Sequence, residues 1–352
     1  MKICVNARFL TQHMTGVQRY AVEICLELKR MRGDEIEFVS PDDIVQKNYA
    51  EMLNVRIIGK HKGHVWEQWD LPRYLKKHGS PLLLCLCNTA PFIYNNKVVT
   101  VHDIAFEAYP QTFNKSFLYV YRFMVPRIMK SAKHVITVSE FSKDEIVKYY
   151  GIPKEKISVV YNAVRDSFRP VCDNELKRKK YFLAVSSLNY RKNFLSVLSA
   201  FEIFQKEDKD TFLYIIGDIK NSNFKGVDIE RYYDNPSIKF LGRVPDEELV
   251  KYYSNAAAFV YPSIYEGFGI PPLEAQTCGS PVVVSDIPPL HEVVQESGLY
   301  CDPYDVKDIA SAMNRILDNK EEYRLKGYEN TKRFSWENSA KTVLNCLINN
   351  KV

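Results

Sequence analysis

The chain has 352 residues, 46% hydrophobic and 26% charged, a balance that fits a globular protein and excludes disordered, fibrous and collagen-like chains. Its length exceeds the roughly 100–200 residues of one ordinary domain, so two domains of similar size are expected. No run approaches the ~18–20 apolar residues of a membrane-spanning helix, and a net charge of +5 is too mild to point to nucleic acid.

The charge is unevenly placed. Residues 1–165 carry 24 Lys+Arg against 16 Asp+Glu, a surplus of +8, and the remainder 24 against 27, or −3; six of the seven histidines lie in the first part. Such asymmetry suggests that one half faces something anionic, phosphate groups or an acidic membrane surface. The eight cysteines form no CxxC pair and no zinc-like grouping, which predicts buried thiols and no metal. Cys85 and Cys87, two apart, are expected to share one strand face.

Taken in order, MKICVNARFL reads as a first strand and lacks the basic and apolar regions of a signal peptide, which predicts a cytoplasmic protein, with peripheral contact at the inner face of the cell membrane as a further expectation. Strands are predicted at 2–9, 37–40, 55–58, 82–87, 97–103, 134–139 and 157–162, then at 181–187, 211–218, 238–242, 257–263 and 281–286, alternating with amphipathic stretches. That alternation builds parallel sheets flanked by helices, here two doubly wound α/β units. Ser142-Lys-Asp-Glu145 has the form of a helix-capping box. The stretch 114–135 mixes aromatic residues with Lys115, Arg122, Arg127, Lys130 and Lys133, one face of which suits an anionic membrane surface. Polar, basic residues over 165–178 read as a linker, giving domains 1–168 and 169–334, and LKRKK (176–180) reads as solvated. In the tail, Trp336, Ala340, Val343 and Leu347 share a helical face.

The chemistry concentrates in YPSIYEGFGIPPLEAQTCGSPVVVSD (261–286), a strand, a Gly/Pro-rich turn, a short helix and another strand. Ligand crevices of open parallel sheets lie beyond the carboxyl ends of the strands, where this turn falls. Gly267 and Gly269 permit close approach of a ligand to backbone, and a helix start with free amides favours a diphosphate. Glu266 and Glu274, eight apart, can each accept hydrogen bonds from vicinal hydroxyls. Arg191 and Lys192 follow the first strand of the second half, where cations can neutralise a leaving diphosphate. His102 and Asp103 close the strand at 97–103, and Gly16 follows the first strand at a helix start. His61, His64, His78 and His134 receive no role.

The run from Glu266 to Glu274 resembles the E-x7-E signature of family 4 glycosyltransferases of the GT-B fold. The resemblance extends to TGVQRY (15–20), WEQWDLP (66–72), TVHDIAF (100–106), TVSEFSKDEI (137–146), RKN (191–193) and FSWENSA (334–340), and is closest to mannosyltransferase-like enzymes of bacterial surface-polysaccharide and O-antigen assembly. It implies two Rossmann-like domains facing each other across a cleft: an N-terminal acceptor domain, to which helix 335–352 returns at the hinge, and a C-terminal donor domain. It further implies a metal-independent, retaining transfer by front-side attack, with a nucleotide-sugar donor as substrate, GDP-mannose foremost, and a saccharide or lipid-linked saccharide acceptor. Glu266 would hold the transferring sugar with the amides of Phe268, Gly269 and Ile270, and Glu274 the ribose. Arg191 and Lys192 would face the diphosphate, His102 the donor sugar with Asp103 in support, and Gly16 the phosphate. Many relatives carry a second glycine beside Gly16 or two places on; Thr15 and Gln18 stand here, and Gln18 is assigned to acceptor or support. The alternatives are a UDP-sugar donor, a sugar-nucleotide epimerase on a similar fold and a non-catalytic binding homologue. A nicotinamide-dependent oxidoreductase is disfavoured because no GxGxxG follows a predicted strand.

Overall fold

A computed structural model describes residues 3–185, 190–217 and 230–349. The chain divides into two compact units, Met1–Asn162 with Phe334–Val352, and Ala163–Arg333.

The first unit holds a seven-stranded, all-parallel sheet of β1 (Ile3–Asn6), β2 (Ile36–Ser40), β3 (Arg56–Ile57), β4 (Leu82–Cys85), β5 (Lys97–Thr100), β6 (His134–Thr137) and β7 (Ile157–Val159) in the order β3-β2-β1-β4-β5-β6-β7. The second holds β8 (Tyr181–Val185), β9 (Phe212–Ile216), β10 (Ile238–Gly242), β11 (Ala258–Tyr261), β12 (Val282–Ser285) and β13 (Leu299–Cys301) in the order β10-β9-β8-β11-β12-β13, also all parallel. Both have the Rossmann arrangement, in which the order reverses between the first and fourth strands and leaves a crevice at their carboxyl ends. The central strands are buried on both faces, as the continuous apolar runs LLLC, AFVY and VVVS require.

Every strand seen at sequence level is present; those expected at 37–40 and 238–242 keep their carboxyl ends, while most of the others stop short where the chain turns off the sheet. β1 gives way at Arg8 to a 3-10 turn, and β5 stops at Thr100, before His102 and Asp103. The ends of the expected strands at 186–187 and 218, and Lys2 of the first, lie outside the described residues. β13 is an addition. The cap of helix Glu140–Tyr150 is Ser139, whose hydroxyl accepts from the Ser142 amide at 3.0 Å; Ser142 is buried inside the helix, so the capping box at 142–145 is corrected. β4 ends at Cys85, so Cys87 is not on the strand. Six of the eight free thiols are buried, Cys87 is half-buried and Cys172 exposed.

The division falls after Asn162, six residues before the predicted boundary, because the expected linker is packed. Phe168 is buried against Tyr253, Arg165 pairs with Asp246, and the Val171 and Asp173 amides donate to Ser254 and Asn255, all four partners belonging to helix Asp246–Asn255 of the second unit. In the first unit, helix Gly16–Arg32 buries Tyr20, Ile24, Cys25 and Leu28 at helical spacing and ends at Gly33, in the left-handed region at φ +52°. Helix Trp336–Asn349 lies against it, burying Trp336, Ala340, Val343 and Leu347. Among the described residues no helix is long and apolar enough to cross a membrane.

Candidate active site

In the second unit the segments leaving β8 and β11 meet at the crevice between those neighbouring strands. The carbonyl of Arg191 accepts from the Ser263 hydroxyl and the Ile264 amide, both at 2.8 Å, stitching the 3-10 turn Tyr190–Lys192 to the loop after β11. This sets the Lys192 ammonium 2.6 Å from both Glu266 Oε1 and the Tyr261 hydroxyl. Tyr261 donates to the same oxygen at 2.8 Å, and so does the Ser263 hydroxyl. Among the described residues every hydrogen bond to Glu266 lands on Oε1.

Glu266 is 8% exposed. Burial alone would push its carboxyl up, but the Lys192 charge and the bonds from Lys192, Ser263 and Tyr261 outweigh it and hold the group below the usual glutamate range. The Tyr261 phenol, buried beside that carboxylate, is pushed well up and stays a donor. A buried pair of this kind keeps its charges because both are hydrogen-bonded.

Beyond Glu266 the loop stays buried through Gly269, which caps helix Ile270–Thr277 at φ +107°. A Cβ there would stand 2.6 Å from Leu290 Cδ2, so a side chain fits neither the backbone nor the space. Pro271 and Pro272 fill the first turn, where a missing N–H costs nothing. Glu274 is half-buried on that helix and accepts from Tyr253 at 3.3 Å. The sequence-predicted Arg191, Lys192 and Glu266 are thus brought together, and Glu274 is anchored separately.

In the first unit His102 lies two residues past β5, buried, its amide donating to Asn88 Oδ1 at 2.8 Å and its Nε2 at 2.9 Å from the Leu86 carbonyl. The carbonyl fixes the Nε2–H tautomer and leaves Nδ1 as the acceptor nitrogen. Burial lowers its basicity more than Leu86 and Asp103 raise it, so the ring is neutral at pH 7. Asp103 caps the loop by accepting from the Ala105 amide at 2.9 Å. Gly16 is the first residue of its helix, and Gln18 accepts from the Thr15 hydroxyl while donating to Gln12 at 2.6 Å.

The sequence reading missed a second buried carboxylate. Glu67 has no exposed surface, and its Oε1 receives Asn6 Nδ2 at 2.8 Å, Arg8 Nε at 3.3 Å and the Thr89 hydroxyl at 3.0 Å, while Oε2 lies 3.4 Å from His64 Nδ1. Arg8 also donates to Thr89 at 2.8 Å. Burial opposes its ionisation, but His64, Arg8 and Asn6 together hold the carboxyl below the usual range. The signal available was an acid placed between Trp66 and Trp69 in WEQWDLP. Among the described residues no three His, Cys, Asp or Glu side chains group closely enough to hold a metal ion.

Two parallel-sheet Rossmann-like units in one chain define a GT-B architecture, and solved structures share it over nearly full length. Anabaena Alr3699/HepE in complex with UDP superposes with a TM-score of 0.75 at 18% identity, covering 99% of this chain and 100% of that one. WaaG, a glycosyltransferase involved in lipopolysaccharide biosynthesis, gives 0.73 at 15%, covering 98% and 99%.

The sequence narrows the class. The Glycosyltransferase Family 4 model matches residues 14–168 and the Glycosyl transferases group 1 model residues 172–334. The O-antigen chain mannosyltransferase RfbU of Salmonella typhimurium is 36% identical over 89% of this chain and 90% of its own, and the O-antigen chain mannosyltransferase B of Escherichia coli 29% over 98% and 99%. The chain belongs to the family 4 glycosyltransferases and is a glycosyltransferase.

Proposed function

We propose that the protein transfers mannose from GDP-mannose, with retention and without a metal, to a saccharide or lipid-linked saccharide in cell-surface polysaccharide assembly. The observation that carries this reading is Glu266, ionised and fixed through one oxygen at the mouth of a glycine-capped helix, in a chain 36% identical to an O-antigen mannosyltransferase. With Oε1 taken by Lys192, Tyr261 and Ser263, Oε2 serves the sugar hydroxyls with the amides of Phe268, Gly269 and Ile270. Glu274 serves the ribose. Arg191 and Lys192 supply positive charge to the departing diphosphate, the work a metal does elsewhere. The acceptor hydroxyl attacks the anomeric carbon on the face the diphosphate leaves, and its proton passes to a phosphate oxygen, so the protein contributes position and charge and no side-chain base. Gly16 and His102 are the ligand contacts assigned to the first unit, with Asp103 and Gln18 in support.

The test is a thermal-shift panel of nucleotides and nucleotide sugars, followed by product analysis with lipid-linked acceptors. The expected outcome is that GDP and GDP-mannose stabilise the protein and that the new linkage keeps the donor's anomeric configuration. Stabilisation by UDP-sugars alone moves the donor to that class; an isomerised donor formed without acceptor replaces transfer by epimerisation; no response to any nucleoside diphosphate removes the reading.

Helix Lys115–Ser131 exposes Tyr119, Val120 and Phe123, with Arg127 stacked 3.8 Å over Phe123. Apolar rings beside arginines suit an anionic bilayer surface, which would bring a cytoplasmic enzyme to a lipid-linked acceptor. Sedimentation with anionic liposomes is expected to show salt-sensitive binding, and its absence removes this part.

A further inference from the structure

The Glu67 cluster forms where the segments leaving β1 and β4 meet, the point at which the first sheet's strand order reverses, and that crevice is where open α/β sheets receive ligands. Glu67 itself has nothing left to offer a ligand, since both oxygens are engaged and neither is exposed. What the cluster turns to solvent is His64, whose side chain is 49% exposed and whose Nδ1 faces the carboxylate. An ionised acceptor at Nδ1 favours the tautomer with its proton there, leaving Nε2 as the ring's remaining hydrogen-bonding atom and an acceptor.

A second observation points to the same place. Trp66–Asp70 is a π-helical turn, a rare geometry that collects at functional sites. Here it is held on both sides. Trp66 is fully buried with its indole N–H on the Ile58 carbonyl at 2.7 Å, and Gln68 donates to Ala90 O at 3.0 Å while accepting from the Phe92 amide at 2.9 Å. The turn also presents Trp69, half-exposed, an apolar ring of the kind that lines ligand pockets. The structure therefore sets one outward imidazole at a ligand crevice, 3.4 Å from a carboxylate fixed by Asn6, Arg8 and Thr89.

We propose that His64 is an acceptor-binding residue whose Nε2 accepts a hydrogen bond from a saccharide hydroxyl, and that Glu67 and Arg8 are positioning residues that fix its ring and tautomer. This rests on the glycosyltransfer reading above and names part of its acceptor site. Because the contact belongs to the acceptor and not the donor, it separates cleanly in steady-state kinetics.

The experiment uses a panel of octyl hexosides as probe acceptors, with the KM of the best one measured for the whole protein and its variants. H64A raises the acceptor KM about tenfold, the loss of one neutral hydrogen bond, with kcat at saturation and nucleotide affinity near wild type. H64Q, which restores an acceptor on a longer side chain, recovers part of that loss, a result that mere structural damage would not give. E67Q reproduces the KM effect if it folds; H64A decides the matter alone if it does not, since His64 is half-exposed. An active wild type with unchanged acceptor KM in H64A overturns the proposal while leaving the function standing, as does an equal loss of nucleotide affinity. A wild type that transfers neither to a hexoside nor to a lipid-linked saccharide overturns both.

Discussion

Each unit buries one carboxylate at its strand-order reversal and pairs it with a cation, yet the two are used differently. Glu67 in the first unit takes partners on both oxygens, and the group it presents outward is a neighbouring histidine. Glu266 in the second unit takes Lys192, Tyr261 and Ser263 on a single oxygen. A carboxylate saturated by the protein can act only through what it holds, whereas one fixed by half its lone pairs is oriented and still able to accept from a ligand. The difference follows from where the donors come from. Glu266's hydroxyl donors lie three and five residues before it, on its own loop and at the end of β11, and Glu67's side-chain partners Asn6, Arg8 and Thr89 come from two other segments that close around it.

Substitutions at the two carboxylates test that contrast. Glu67→Leu should have the largest effect, because it leaves Arg8 buried without its counter-charge and three donors without an acceptor; a loss of about 3–5 kcal/mol is expected. All three tryptophans, Trp66, Trp69 and Trp336, belong to the first unit, so urea unfolding followed by tryptophan fluorescence reads it directly. A change below about 1 kcal/mol would mean the cluster is not a structural hub. Glu266→Gln keeps the shape and most of the stability but removes the charge, and kcat should fall about 10²–10³-fold with little change in nucleotide affinity. Glu274→Gln should do the reverse on a smaller scale, weakening nucleoside diphosphate binding about five- to tenfold with kcat nearly intact. Calorimetry of both variants with GDP decides it: equal losses would end the division between a sugar carboxylate and a ribose carboxylate.

The same contrast explains what was legible in the sequence. The Glu266 loop could be read because its strand, turn, glycine cap and proline-started helix follow one another within a single run, and Arg191 and Lys192 are placed by the end of β8. The Glu67 cluster could not, because Asn6 and Arg8 lie 61 and 59 residues away and Thr89 22, separations at which no spacing rule operates. β13 escaped for a different reason: it is an edge strand of only three residues, Leu299–Cys301, shorter than the four to eight that mark a strand in sequence. The linker at 165–178 looked solvated because its contacts are polar, Arg165 with Asp246 and backbone amides with Ser254 and Asn255, and only Phe168 betrays the packing. Three of the shortened strands share a cause: Val101, Val138 and Val160, just past the ends of β5, β6 and β7, read as strand while the chain there leaves the sheet.

The smallest effect separates the units by pH. His102 is held neutral chiefly by burial, and His134 by burial with Lys156 and Lys143 nearby, so both have lowered basicity in the folded state. The unfolded chain then binds more protons than the native one as pH falls below about 6.5, and stability drops from that point towards the folded-state values; above pH 7 neither ring contributes. Glu67 and Glu266 act in another window: their depressed carboxyls stabilise fully above about 4.5 and lose that contribution only as pH falls through their lower folded values. The second unit's sole histidine, His291, is on the surface. Between pH 7.5 and 5.5 the midpoint read by tryptophan fluorescence should therefore fall, and His102→Gln, whose amide can still donate to the Leu86 carbonyl, should flatten the slope. An unchanged slope in that variant would mean that the His102 ring accepts a proton without cost, and would remove the basis for treating its Nδ1 as a standing acceptor.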